Sequence, residues 1–301
     1  MLAATEASLP QHAAGVPWAI RAALLVVLAT LEPGSGCAAQ IASGASTSIA
    51  TRYLWRGITR VSDWVIHPAA WVGIRGASTE LSVSGWGNWE SGNAGSADLT
   101  QRGIGRRGFG EADLDVAVSR EFGPTAVAAG WTRYTFHGDA AGAGQTSSDN
   151  TSELFVHFAW HGSTVTPSVL AACDVDRVRG CYFEVGAPLP IFATSEPRPT
   201  LIFSIEPTAG WSQGEGPNSD DPTQLSNFAG NGLTHVDLPF LAQAQFSGGT
   251  LEPAFSLAAH LQWCADGATR TTNATGSTTR VKFWLEVGAT IAAGLPRKQR
   301  R

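Results

Sequence analysis

The sequence predicts an all-β protein: a transmembrane antiparallel up-and-down β-barrel of about twelve strands, preceded by a signal peptide. Three observations carry that reading. Twelve short segments alternate apolar and polar residues with period two. The connections between them alternate short and long. Charged residues make up only 15% of the chain, against about 25% in a typical soluble protein. The last segment is the plainest: Val281, Phe283, Leu285, Val287, Ala289 and Ile291 take one parity, and Arg280, Lys282, Trp284, Glu286, Gly288 and Thr290 the other. Eleven Trp in 301 residues suit a membrane interface, where the ring body is apolar and its N–H is wet.

The chain opens on a leader. Arg21 precedes the apolar run from Ala22 to Leu31, the breaker Pro33-Gly34-Ser35-Gly36 follows, and Cys37-Ala38-Ala39-Gln40 reads as a cleavage site cut after Ala39. The run is shorter than the roughly 20 residues a spanning helix needs. A lipoprotein would keep Cys37 as its new N-terminus, but Gly34 stands where an aliphatic residue is usual. The division expected is signal peptide 1–39, periplasmic segment 40–45, barrel 46–293 and basic tail 294–301. The net charge of −5 becomes −4 once Glu6, Arg21 and Glu32 leave with the leader, and no basic face invites nucleic acid.

The predicted strands are 46–58, 64–75, 79–90, 111–122, 124–137, 151–161, 164–175, 180–189, 200–212, 233–246, 249–263 and 279–292. Each has about the length a tilted strand needs to cross a bilayer. Gly76-Ala77-Ser78, Gly123, Gly162-Ser163 and Gly248-Gly249 mark tight turns. Long polar segments at 91–110, 138–150, 213–232 and 264–278, with shorter ones at 59–63 and 174–179, all fall at the opposite end. Outer-membrane barrels segregate short periplasmic turns from long external loops in this way, whereas a sandwich has no reason to. Segment 190–199 is the exception, a long connection at the short-turn end. Pro68, Pro167, Pro207, Pro239 and Pro253 fall within strands, and a closed barrel has no edge to hold them, so bulges are expected there.

One parity assembles a lipid face that begins with Tyr53 and Trp55. It continues through Ile66, Val72, Ile74, Leu81, Val83, Trp89, Leu114, Val116, Val118, Tyr134, Phe136, Leu154, Val156, Phe158 and Trp160 into the later strands. The other parity collects the charges. Expected to line the pore are Arg52, Arg56, His67, Glu80, Asp113, Asp115, Arg133, Glu153, His157, Asp174, Tyr182, Glu184, Glu206, Asp237, Glu252, Lys282 and Glu286. A base on the lipid side at mid-bilayer costs about 2–4 kcal/mol, which is the reason for sorting charges inward.

Two stretches resemble the TorF-like putative porins, a family of small proteobacterial outer-membrane barrels. Arg52-Tyr-Leu-Trp-Arg-Gly-Ile-Thr59 is similar to the family's Y-x-x-R-G opening strand. Pro167 to Asp176, followed by Gly180-Cys-Tyr-Phe-Glu184-Val-Gly186, is similar to its D-x-x-x-G-x-Y-x-E hairpin. The matching positions are Tyr53, Arg56, Gly57, Asp174, Asp176, Gly180, Tyr182 and Glu184, about 30 residues in all. The resemblance implies an outer-membrane barrel with a small pore and transfers no catalytic residue. Many such barrels end on an aromatic residue that the assembly machinery reads, whereas this chain ends Gly294-Leu-Pro-Arg-Lys-Gln-Arg-Arg301, a solvated extension.

Other patterns are weaker. Gly103-Ile-Gly-Arg-Arg-Gly108 matches a dinucleotide fingerprint, but a strand rather than a helix follows it. Gly210-Trp-Ser-Gln-Gly214 matches a nucleophile elbow but runs into a loop. His157 and His161 share a face too far apart to be adjacent metal ligands, so no metal or other cofactor is called for. Asn150-Thr-Ser and Asn273-Ala-Thr are polar loop residues. Cys173 and Cys181 flank a short loop on one parity, and an oxidising compartment permits a bridge between them; Cys264 is left over.

The function expected is passive diffusion of small hydrophilic solutes or ions with weak cation preference, because carboxylates outnumber bases on the inward list. The partners expected are outer-membrane lipid, the barrel-assembly machinery and the solutes. Two alternatives stand beside it. A lipid enzyme of phospholipase type needs a Ser–His pair on the outer wall. A soluble carbohydrate-binding sandwich needs its Val, Leu and Phe rows packed in a closed interior.

Overall fold

The computed structural model describes residues 39–76, 78–92, 107–137, 150–194, 199–221, 223–246, 250–272 and 278–293. The leader, the 294–301 tail, Asn273 and most of the Gly103–Gly108 motif lie outside them.

Period-two alternation produces strands throughout. They are β1 (Gln40–Ala50), β2 (Tyr53–Trp55), β3 (Ile58–Val61), β4 (Val65–Arg75), β5 (Thr79–Ser91), β6 (Arg107–Phe122), β7 (Thr125–Phe136), β8 (Thr151–Trp160) and β9 (Ser168–Asp174). Then come β10 (Cys181–Gly186), β11 (Leu189–Ala193), β12 (Thr200–Ile205), β13 (Thr208–Gln213), β14 (Gly232–Gln245), β15 (Leu251–Cys264), β16 (Thr271–Thr272), β17 (Thr278–Thr279) and β18 (Val281–Ala293). Each stave pairs antiparallel with its neighbours, and β18 joins β1 from Ser43↔Ala293 to Ala50↔Glu286. The sheet thereby closes on itself. β10 with β11, and β12 with β13, are halves of single staves interrupted at 187–188 and 206–207, so the cylinder has twelve staves. Closure leaves no open edge, the condition a sheet must meet to sit in hydrocarbon.

The register fixes which side chains face out. Val281, Phe283, Leu285, Val287 and Ile291 point outward, with Phe283 59% and Val287 57% exposed. Val72, Ile74, Leu81, Val83, Leu114, Phe158, Val185, Phe203, Phe240, Phe255 and Leu257 continue the apolar belt around the barrel. A belt of this size is what a bilayer covers and water does not. The sandwich is excluded, because these rows lie on the outside of a closed sheet rather than in an interior.

Four expectations change. The first stave is 40–50, not 46–58, so residues 40–45 belong to the barrel: Gln40 pairs with Arg75 and Ser43 with Val72. Its odd positions include Ser43, Ala45 and Thr47, too weakly apolar to show as an alternating stripe. Segment 53–61 is instead a two-stranded hairpin, β2–β3, apart from the main sheet. Arg56 and Gly57 have φ of 49° and 83°, the two successive positive values of a type I′ turn, which matches the twist of a tight hairpin.

The second change is at β7. Thr132 pairs with Glu153 and donates to Asp115, so Thr132, Tyr134 and Phe136 face inward and Arg133 outward. Tyr134 and Phe136, expected on the lipid side, are buried against the hairpin. Arg133 sits at the end of its stave and reaches Ser152 (3.0 Å) and Asp176 (3.1 Å). An arginine costs little near a membrane interface.

The third concerns the prolines. In the main sheet the bulges fall at Asn88/Trp89, Pro190/Phe192 and Gly210/Trp211, not at the five prolines where they were expected. Pro207 breaks a stave, Pro167 precedes β9, and Pro68, Pro239 and Pro253 remain within β4, β14 and β15. The last is at the short-turn end: residues 189–193 form β11, which shortens the 190–199 connection, and β9 begins at Ser168 rather than 164.

Placing arginine at Val116, which faces outward, should lower the yield of heat-modifiable inserted barrel and cost about 2–4 kcal/mol in urea unfolding from vesicles. The same change at Asp115, which faces inward beside Thr132 and Ser84, should leave insertion near normal.

Candidate functional site: a hairpin folded into the lumen

Thr51 to Trp64 joins β1 to β4 at the long-loop end, and its hairpin folds back inside the cylinder. Ile58, Thr59 and Arg60 are buried, at 1–2% exposure. Two opposite walls hold the tip. On one side Arg56 forms a two-point ion pair with Glu153 of β8, Nη1 to Oε1 at 2.7 Å and Nη2 to Oε2 at 2.5 Å. Glu215 Oε1 lies 3.8 Å from Nη1. On the other side the Gly57 carbonyl accepts from Gln262 of β15 and Lys282 of β18, each at 3.0 Å. Lys282 also donates to Thr59 Oγ1 at 2.7 Å. The hairpin therefore spans the lumen.

Aromatic faces complete the seat. The Arg56 guanidinium lies over Trp55 (4.5 Å) and Tyr182 (4.4 Å), and that of Arg60 over Trp55 (4.6 Å) and Phe136 (5.5 Å). Tyr53 donates to Glu111 and Tyr134 to Glu153, both at 3.0 Å. Gly57 has no substitute at the tip. A Cβ there would stand 2.7 Å from the His235 ring, at a positive φ that side chains disfavour.

The two short motifs meet here. Arg56 of the first stacks on Tyr182 of the second, and Tyr182 donates to Glu184 at 2.7 Å. Asp174 plays a different part. Its Oδ1 accepts the N–H groups of Asp176, Arg177, Val178 and Arg179, and its Oδ2 accepts from Thr151. It shapes the 174–180 turn. Cys173 and Cys181 are joined by a disulfide on the outward side of that turn, and Cys264 is free and buried.

The segment between β13 and β14 packs over the hairpin. Phe228, 2% exposed, stacks on Tyr182 and clusters with Ile58. Glu215 beside it has no exposed surface. Burial pushes its carboxyl up to about 7, with Arg56 pulling down and Glu153 pushing up. Burial also works against the charge of Arg56, but Glu153, Tyr134 and Glu215 together outweigh it and hold that guanidinium charged.

Of the other residues expected in the pore, the register turns His67, Glu80, Asp113, Asp115, His157, Asp237, Glu252 and Glu286 inward, and Glu206 sits at the break between β12 and β13. Glu80 pairs with Arg75. Arg52 sits in the turn after β1, on no stave. Arg60, Glu111, Glu215, Gln262 and Trp284 join the lumen without having been expected among its lining residues. Glu111 shares the parity of Asp113 and Asp115, a signal present in the sequence; Glu215, in a loop, offers none. Among the described residues no group of His, Cys, Asp and Glu is arranged to hold a metal ion.

Neither a family model nor a curated protein sequence matches the chain. Solved structures with a similar course include the KdgM porin in complex with disordered oligogalacturonate, at 8% identity and TM-score 0.40, over 83% of this chain and 97% of that one. An outer-membrane channel from Pseudomonas putida F1 is similar at 12% identity and TM-score 0.42, over 88% and 100%. LpxR from Salmonella typhimurium is similar at 9% and 0.43, over 82% and 99%. At this level of similarity none assigns an activity.

Two outcomes are expected. Glu153→Ala leaves Arg56 buried without its partner, a loss of about 3–5 kcal/mol, which should appear as a lower urea midpoint with the barrel still inserting. Glu215 gives the second. A carboxyl raised by packing favours the packed loop while protonated, so the loop is held most firmly below the free value of 4.5 and loosens as pH rises through about 7. Hydrogen exchange of the 214–231 amides should therefore quicken between pH 5 and 8 beyond the intrinsic pH effect, and Glu215→Gln should remove that excess.

Proposed function

We propose that this chain is a channel of the outer membrane of a Gram-negative bacterium. It lets small hydrophilic solutes or ions diffuse passively, with mild cation preference, through a lumen narrowed by the β2–β3 hairpin. The observation that carries the reading is the lumen itself. Its walls are polar, its exterior is apolar, and a chain segment crosses it on hydrogen bonds to both sides. In a barrel of about twelve strands the space is wider than in the eight-stranded kind, whose interior side chains fill, and narrower than in the 16–18-stranded porins. A hairpin across that space reduces the path further and sets its size limit.

Cation preference follows from the inward charges. Glu111 and Asp113 share Arg60 between them, Arg56 is engaged with Glu153, and Asp115, Glu184, Glu206 and Asp237 also face the lumen, so carboxylates outnumber the bases there. Rings of carboxylates favour cations in a pore. The TorF-like resemblance agrees with this reading through the meeting of Arg56 and Tyr182. Membrane lipid and the barrel-assembly machinery are the partners that such a protein requires.

A lipid enzyme would need its histidine on the outer wall; the histidines on staves, His67, His157, His235 and His260, face inward, and His137 and His161 lie just past stave ends.

In a planar bilayer the purified barrel should give small, cation-preferring openings. Deleting residues 52–62 should raise conductance several-fold. Silence from both proteins would overturn the channel reading.

A further inference from the structure

Beneath the hairpin, toward the short-turn end, lies a cavity of about 320 Å³, within the range of small-molecule sites. Arg56 and Gly57 form its roof, Glu184, Glu206 and Asp237 stand on three adjacent staves of its wall, and Trp284 closes the other side. The charges do not balance. Three carboxylates face one guanidinium in the lining, Arg56, which Glu153, outside the cavity, already holds at 2.7 and 2.5 Å; Lys282 stands behind the roof, on the Gly57 carbonyl at 3.0 Å.

Apart from Arg56 the charged groups of the wall are all acceptors, set among the neutral Ser168, Thr208, His235, Gln262 and Trp284. Tyr182 donates to Glu184 at 2.7 Å and Ser204 to Glu206 at 2.9 Å, each leaving a second carboxylate oxygen. Asp237 Oδ2 is 3.3 Å from His260 Nδ1, and its Oδ1 is buried without a hydrogen-bond partner. The Gln262 amide nitrogen is spent on the Gly57 carbonyl and Cys264 Sγ. Trp284, 7% exposed, is fixed by stacking on His260 at 4.3 Å and 11°. A fixed indole beside carboxylates is a seat for an organic cation.

We propose that this cavity binds a small aliphatic amine cation, donor-rich and lacking a carboxylate, as it passes through the lumen. An ammonium brings three N–H donors and no acceptor, the complement of this wall. A carboxylate-bearing solute would meet three like charges. The inference deepens the channel reading by naming its solute class, and rests on it for the route but not for the binding.

The test is calorimetric titration of the full barrel, refolded in detergent at low ionic strength, with 1,4-diaminobutane and with succinate, which has the same number of carbons. Saturable one-to-one heat with the diamine and none with succinate is expected. Asp237→Asn and Glu206→Gln should each weaken binding tenfold or more, and Glu121→Gln, near the short-turn end, should leave it unchanged. A heat-modifiable gel shift checks each variant's fold, and the two wild-type titrations decide the charge class where a variant does not assemble. No saturable heat, equal binding of succinate, or equal affinity in all three variants would overturn the site. A barrel that conducts but binds no diamine sinks the site and keeps the channel. One that binds the diamine but never conducts does the reverse.

Discussion

The seam between β1 and β18 is the constraint on which the rest depends. A sheet in hydrocarbon must pair every backbone N–H and C=O, because nothing outside can replace a missing partner. Eight residue pairs from Ser43↔Ala293 to Ala50↔Glu286 meet that demand where the two ends of the barrel come together. Once the cylinder is shut, strand parity becomes an inside and an outside. Phe283 and Val287 go to the belt, and Lys282 and Glu286 go to the lumen. The Arg133 exception stands at a stave end, where the outside is no longer hydrocarbon.

Closing the barrel creates a second problem, a polar interior in need of filling. The chain solves it with its own segment rather than with bulky wall residues. A two-residue turn carries Arg56 into the middle of the lumen, and the charge that burial would otherwise penalise meets a carboxylate in two-point geometry. Such a pair contributes little net stability against an apolar alternative, but it specifies one position for the hairpin. Lys282 and Gln262, both on the Gly57 carbonyl, specify it from the opposite wall.

Three neighbouring staves carry prolines at one level: Pro188 and Pro207 at the two breaks, and Pro239 opposite the second. Proline withholds a ladder donor, so pairing there hands over from one half-stave to the next. Ala187 N–H donates to the Pro207 carbonyl, and Glu206 N–H to that of Pro239, both at 3.0 Å. The wall stays hydrogen-bonded while the stave is interrupted, and Glu206 at the break lines the cavity.

The sequence by itself determined the strand class, the stave count, the end at which the long loops gather and the facing of most staves. All of these follow from local period and composition, which survive in a one-dimensional string. Only the tertiary structure decided where Tyr53 to Val61 goes. Its alternation up to Ile58 reads as the end of the first stave and 59–63 as a loop, and a strand over a bilayer and a hairpin in a lumen use the same residues. What separates them is Glu153, Gln262 and Lys282, from about 100 to more than 200 positions away, and no local pattern records a partner at that distance. The same reason hid Tyr134 and Phe136: an aromatic ring at a stave end suits a membrane interface or the side of a hairpin equally well, and the packing of Trp55 and Arg60 against them chose the second.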